Sequence, residues 1–387
     1  MSKDIRGFVP DSCELLALGE PTHLEPAFAM IRNELFGQLA DLGFRSVALE
    51  TDRVSAHVVD EFVRGGVGSL ESAMTSFTHT FGELAANWQL IGWMREYNKR
   101  RPAEEQLAFH GFDIPTEMMS APSPRPYLEF VRDYLGLDLD IAAIAGDDER
   151  WSRTEAIMDP AASPGDSADA RALREIADDL HVALYRLAPE LVEATSAAAW
   201  RVARDHLDGG VALLRYHRQS AKDIERNARI TSLFCVRDAH MAEHLLDIRA
   251  IEAHRGPTLV FSQNQHLQRN GGGWRLADME LRWWPAGASV GAVLGERYTM
   301  IAGSLGRSDA IGLGEPGVDT VEGGLQRRFS DWGMTTEVAP GATRTDTTPP
   351  QGYFPLDQAT VAGADAILHV TDGTVAVRSV ETSVVGQ

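Results

Sequence analysis

The chain has 387 residues, 44% of them hydrophobic, enough to bury a sizeable core and to exclude a disordered polymer. Its 36 basic and 56 acidic residues give a formal charge of −20, a field that repels phosphate backbones and anionic lipid, so neither nucleic acid nor a membrane is expected as a partner. Cys13 and Cys235, the two cysteines, stand at no redox or metal-ligand spacing, which argues against a disulfide framework or a cysteine zinc site.

The opening segment MSKDIRGFVPDSCE has no apolar signal-peptide core, and no run approaches the roughly 18 apolar residues of a membrane span, so a cytoplasmic location is expected. The first strand-like run, Leu15 to Leu18, ends in Gly19-Glu20. A helix is predicted over Pro26 to Leu42, where Phe28, Ile31, Leu35, Leu39 and Leu42 recur at three-to-four spacing and Gly43 supplies the stop. Further strand-like runs follow: Ser46 to Leu49 ending in Glu50, and Leu107 to Phe112 ending in Asp113. From about Ser120 to Arg255 such runs give way to long Ala, Leu, Arg and Glu-rich helical patterns. Pro122, Pro124 and Pro126 mark the entry, and Asp159 to Ser167 is expected as an exposed loop. Strands return at Thr258 to Phe261, which ends in Ser262-Gln263-Asn264, then at Met300 to Leu305 and Ala366 to Val370. Gly271-Gly272-Gly273 and Pro340 to Pro350 read as loops.

The expectation is an α/β fold, a largely parallel central sheet flanked by helices, with residues 1–119 and 256–387 as the catalytic core. Residues 120–255 would be an inserted all-helical subdomain forming the other wall of the cleft. In open α/β sheets ligands bind beyond the carboxyl ends of the strands. Glu20 with His23, Glu50, Asp113, and Gln263 with His266 each lie just past such an end, so four segments converge on one edge if the strands are neighbours. Helix capping, for instance by Glu25, is the competing explanation for any one of them.

Gly19-Glu20-Pro21-Thr22-His23, then Arg32 on the next helix, then Ala48-Leu49-Glu50, resemble the opening signature of the erythromycin esterase superfamily. The resemblance continues through Trp88 to Asn98, Phe109 to Asp113, Arg237-Asp238-Ala239-His240-Met241-Ala242, Ser262 to His266, Gly291 to Leu305 and Ala364 to Val370, nearly the whole chain. It implies His23 as the general base that activates water against an ester or lactone, with Glu20 and Glu50 orienting and tuning it. A neutral imidazole held by a carboxylate is the side chain best placed to take that proton near neutrality. His266 would be proton donor or substrate anchor, and Arg32, Arg237, Asp113, Gln263 and Asn264 would bind substrate. No cofactor is implied; a divalent ion on His23, His266 and the carboxylates is the alternative occupant.

Gln263 departs from the family pattern, standing where its motif has a first histidine; glutamine cannot carry a proton at neutral pH. Pro21, Glu25 and His244 are lesser departures. The expected function is hydrolysis of an ester or lactone of a small-molecule natural product. Its alternatives are a non-hydrolytic cyclase, lyase or isomerase on the same base, and a catalytically silent binding protein. Other motifs are weaker. His240-Met241-Ala242-Glu243-His244 spells a zinc pattern without a third ligand, and reads otherwise as a helix surface. Gly312 to Gly317 spells G-x-G-x-x-G without a following amphipathic helix and reads as a turn. No G-x-S-x-G elbow is present. Trp88, Trp93, Trp283 and Trp284 are expected mostly in the core, with a cleft lining as the alternative.

Overall fold

The computed structural model describes residues 2–117, 119–276 and 279–385. Among the described residues nine strands are formed: β1 (Leu15–Glu20), β2 (Ser46–Asp52), β3 (Ala108–Asp113), β4 (Thr258–Gln263), β5 (Gly272–Leu276), β6 (Met279–Trp283), β7 (Tyr298–Arg307), β8 (Trp332–Thr335) and β9 (Ala366–Asp372). Seven make one sheet in the order β3-β2-β4-β1-β7-β9-β8, and β5 and β6 form a separate hairpin. The pairs β2·β4, β4·β1, β1·β7 and β7·β9 are parallel, and β8 at the edge runs against its neighbour β9. Every residue of β1, β2 and β4 is buried, which is why these strands read as continuous apolar runs rather than alternating ones.

Two compact units divide the chain. The first comprises Met1–Glu50, Val58–His110 and Ala242–Gln387, the second Thr51–His57 and Gly111–Met241. Within the first, helix α1 (Pro26–Asp41) begins with Pro26 at its first position and with the Glu25 carboxylate accepting from the Ala27 amide at 3.1 Å. It ends where Gly43, at φ +91°, and Phe44 donate back to Ala40 and Leu39, a left-handed cap that glycine adopts without strain. Phe28, Ile31, Leu35 and Leu39 bury the predicted stripe. Helices α2 (Ala85–Asn98), α3 (Asn264–Leu267) and α4 (Gly373–Val385) complete the elements that matter below.

The second unit is helical. Arg125–Tyr134, Ala168–Arg186 and Ala197–Ser220 pack around a core of Leu128, Trp151, Leu173, Leu180 and Leu207. Here the expected exposed loop at Asp159 to Ser167 is corrected: Pro164 and Gly165 are buried, and a Cβ on Gly165 would lie 1.9 Å from the His217 carbonyl oxygen. A backbone approach that close excludes solvent from the middle of the segment. Gly271 to Gly273 is corrected too, because Gly272 and Gly273 open β5. The partner strand Met279-Glu280-Leu281-Arg282-Trp283 alternates buried and exposed, a legible two-residue period. Gly312, at φ +62°, sits in a turn closed by the Ser308–Leu313 bridge. Among the described residues, no helix is long and apolar enough to cross a membrane.

Candidate active site

From β1 the chain moves across β4 to reach β2, whereas from β4 it moves across β1 to reach β7. The connections diverge above the β1·β4 pair, and such a switch point opens a crevice at the carboxyl ends. Register places Gly19 opposite Ser262 and Glu20 opposite Gln263, and Leu49 opposite Phe261, so Glu50 arrives beside Ser262 from the other flank. The Pro21-Thr22 turn then brings His23 back over these ends, anchored by the buried Thr22 hydroxyl, which donates to the Gln351 carbonyl at 3.1 Å.

Both ring nitrogens of His23 face carboxylates. Nδ1 is 2.8 Å from Glu20 Oε1, and Nε2 is 3.7 Å from Glu50 Oε2. Glu50 is held on both oxygens: Oε2 accepts from the Ser262 hydroxyl at 2.5 Å, and Oε1 lies 3.5 Å from His266 Nε2. The His23 ring rests on Phe81 with centroids 5.0 Å apart. A cavity of 250 Å³ opens here, lined by His23, Glu20, Glu50, Arg32, Phe81 and Phe261 among others.

Burial works against the imidazolium of His23, but the charge of Glu50 and the hydrogen bond and charge of Glu20 outweigh it, so its pKa lies above the ordinary histidine value. Burial pushes the Glu20 carboxyl up, opposed by His23 and Arg32. Arg32, 1% exposed, is lowered by burial to about 10 and stays charged at neutral pH. Two carboxylates, an imidazole and a guanidinium thus meet in one cluster, where the charge of each is offset by its neighbours. Glu50→Gln is expected to move the pKa of His23 downward, because it deletes the strongest of the influences that raise it; NMR titration of the His23 ring measures the shift.

The erythromycin esterase family model matches residues 39–378. The chain belongs to the erythromycin esterase family. Its fold is similar to that of a mutant of the erythromycin esterase EreC in its open conformation, with TM-score 0.66 and 18% identity over 94% of this chain and 91% of that one. A Bacillus cereus protein matches with TM-score 0.64 and 16% identity over 96% and 92%. A succinoglycan biosynthesis protein follows with TM-score 0.59 and 15% identity over 94% and 88%. At these identities the likeness is one of fold. No curated protein matches the chain in sequence.

For an erythromycin esterase family member, the residues expected from the sequence divide into two groups. His23, Glu20, Glu50 and Arg32 line the cavity. Arg32 gives Nε and Nη2 to Asn33 Oδ1, at 3.1 and 2.7 Å, and Nη2 also to Asn87 Oδ1 at 2.9 Å, while its guanidinium stacks 4.9 Å over Phe261. His266 is buried behind Glu50 and does not line the cavity. The Asn264 amide clamps β7, accepting from the Gly303 amide at 2.9 Å and donating to the Gly303 carbonyl at 2.8 Å, which ties it to the scaffold. Asp113 and Arg237 close on each other within the second unit. Gln263 offers its backbone amide to Glu50 at 3.5 Å, and its side chain lies outside the cavity lining.

His240 and His244 are buried rather than on a helix surface. Among the described residues, no three His, Cys, Asp or Glu side chains gather as metal ligands. Trp283 is buried as expected of the core, whereas Trp284 is 70% exposed. Ser262 and Phe81 were not singled out in the sequence. Ser262 was visible only as the residue next to Gln263. Phe81 follows two non-glycine residues in left-handed conformation, His79 and Thr80, which no sequence pattern announces.

Gly19 shows how closely the scaffold is fitted: a Cβ there would lie 2.1 Å from Asn264 Oδ1. Gly19→Ala is therefore expected to drive Asn264 off Gly303 and to destabilise the fold by about 2–3 kcal/mol, readable in chemical denaturation.

Proposed function

We propose that this family member hydrolyses an ester or lactone of a small-molecule natural product with His23 as general base. The observation that carries the reading is the orientation of His23. Glu20 on Nδ1 fixes the proton there and leaves the Nε2 lone pair directed toward Glu50 at the cavity. Nε2 takes a proton from water as the water oxygen bonds to the substrate carbonyl carbon. The resulting imidazolium lies between Glu20 and Glu50, and returns the proton to the alkoxide as the carbonyl–oxygen bond to the leaving group breaks. Arg32 Nη1, which makes no hydrogen bond among the described residues, is the cavity's donor for the developing oxyanion. Ser262 and His266 hold Glu50 in place. No cofactor enters these steps, and the charge of −20 is consistent with a small-molecule rather than a nucleic-acid partner.

Gln263 favours one second reading. Glutamine supplies no second imidazole next to the site, His23 is the one histidine among the described residues that line the cavity, and a base-promoted cyclisation or elimination needs one. Turnover in oxygen-18 water separates the two: hydrolysis places label in the acid product, whereas a cyclase or lyase yields unlabelled product.

A further inference from the structure

Ahead of α2 the chain makes a tight turn through Thr78, His79, Thr80 and Phe81. His79 at φ +57° and Thr80 at φ +59° are the two non-glycine residues with positive φ among the described residues. A β-branched residue such as Thr80 is strained there, and two such residues in succession persist only where their surroundings impose the shape. Helix α2 supplies the constraint. The Asn87 side-chain amide donates to the Phe81 carbonyl at 2.8 Å and Trp88 Nε1 to the Gly82 carbonyl at 2.7 Å, while a Cβ on Gly82 would collide with the Met74 carbonyl oxygen. Asn87 also accepts from Arg32 at 2.9 Å, which ties the turn to the guanidinium of the cavity.

What the turn delivers is Phe81 with a second imidazole on it. The ring centroids of His79 and Phe81 are 5.7 Å apart and those of His23 and Phe81 5.0 Å, each pair inclined at 57°. Two histidines thus share one phenyl ring at the cavity wall, and charge on His79 opposes charge on His23. His79 is half-buried and does not itself line the cavity, so its action on the chemistry passes through its neighbour. The direction of that action matters. Glu50 from the end of β2 and Glu20 from the end of β1 favour the imidazolium of His23, which has no lone pair to take a proton from water, and His79 acts against them. Glu25, Arg32, Glu83 and Glu381 of α4 complete the charged lining of the cavity.

We propose that His79 is a positioning residue for the base, a second imidazole that acts on His23 across their shared contact with Phe81, where Gln263 supplies none. The inference rests on the esterase reading for what His23 does. With His79 in place, His23 stays neutral at a lower pH than the two carboxylates alone would allow, and the rate rises earlier with pH.

NMR titration of the His23 ring tests this in the full chain and in two variants at position 79. His79→Asn removes the ring and keeps a residue that tolerates left-handed backbone. It is expected to raise the pH at which His23 titrates by about half a pH unit, the effect of losing one like charge several ångströms away. His79→Lys keeps a positive charge and is expected to hold that titration at or below its native position. A misfolded turn would displace both variants alike. An upward shift in both, or none above about 0.1 pH unit in His79→Asn, overturns the pairing. Should neither variant fold, the coupling is read from the other side: it is mutual, so His23→Ala is expected to raise the titration of His79 by a similar amount, and an unmoved His79 ends the proposal. Ester turnover keeps the two readings apart. A shifted His23 titration with turnover intact in His23→Ala leaves the pairing and removes the esterase reading, whereas an unmoved titration with turnover lost in His23→Ala does the reverse.

Discussion

With His23 as the proposed base, His23→Ala is expected to lower kcat/KM by about a thousandfold on any ester the protein turns over, with the loss in kcat rather than KM, because a general base acts in the transition state and not in binding. Steady-state kinetics on purified variant checks this, and a loss below about tenfold would remove His23 from the chemistry. The pH profile carries the same information. Only neutral His23 can accept a proton, and Glu50 and Glu20 hold its pKa above the ordinary value against the opposing effect of burial. The rate therefore rises with pH and levels off above the usual histidine range. Stability runs the other way. A histidine whose folded pKa is raised stabilises the fold fully below its unfolded pKa, and that contribution is lost as pH rises through the folded value. His23→Ala should thus cost more stability near about pH 6 than near about pH 9.

Asp113→Ala is expected to destabilise the protein by about 2–3 kcal/mol, the loss of the charge-assisted hydrogen bonds that a buried carboxylate accepts. Asp113 is fully buried, and its carboxylate takes Arg237 Nε at 3.0 Å and Nη2 at 2.5 Å, as well as the Ile114 amide at 2.8 Å. The neighbouring Tyr216 hydroxyl is pushed up to about 12, mainly by burial. Removing Asp113 takes the bidentate carboxylate away from Arg237. The double change Asp113→Ala with Arg237→Ala is expected to cost less than the sum of the two single changes, since both remove the same ion pair. Denaturation of the three variants tests the scaffold role. An unchanged melting temperature with a raised KM in Asp113→Ala would instead return the pair to substrate binding.

Much of the sheet was readable because buried parallel strands are written as apolar runs with polar ends. Leu15 to Glu20, Ser46 to Glu50 and Thr258 to Gln263 announce both a strand and the point where it stops. The hairpin β5·β6 and the edge strand β8 were less legible, since glycines open the one and four residues make up the other. For the site, the sequence placed polar residues at strand ends without saying which way each would turn.

The amino-acid sequence by itself determined the family, the α/β class, and the presence of His23, Glu20 and Glu50 at the carboxyl edge, because periodicity and strand-end chemistry are local properties. Only the tertiary structure decided which of the polar residues meet. Strand order set Glu50 and Ser262 beside His23, drew Asn264 onto Gly303, and closed Asp113 on Arg237. These side chains are donors and acceptors of the same kinds at the same kind of position. Which partner satisfies each when it is buried depends on residues tens to hundreds of positions away, and no local pattern contains that information.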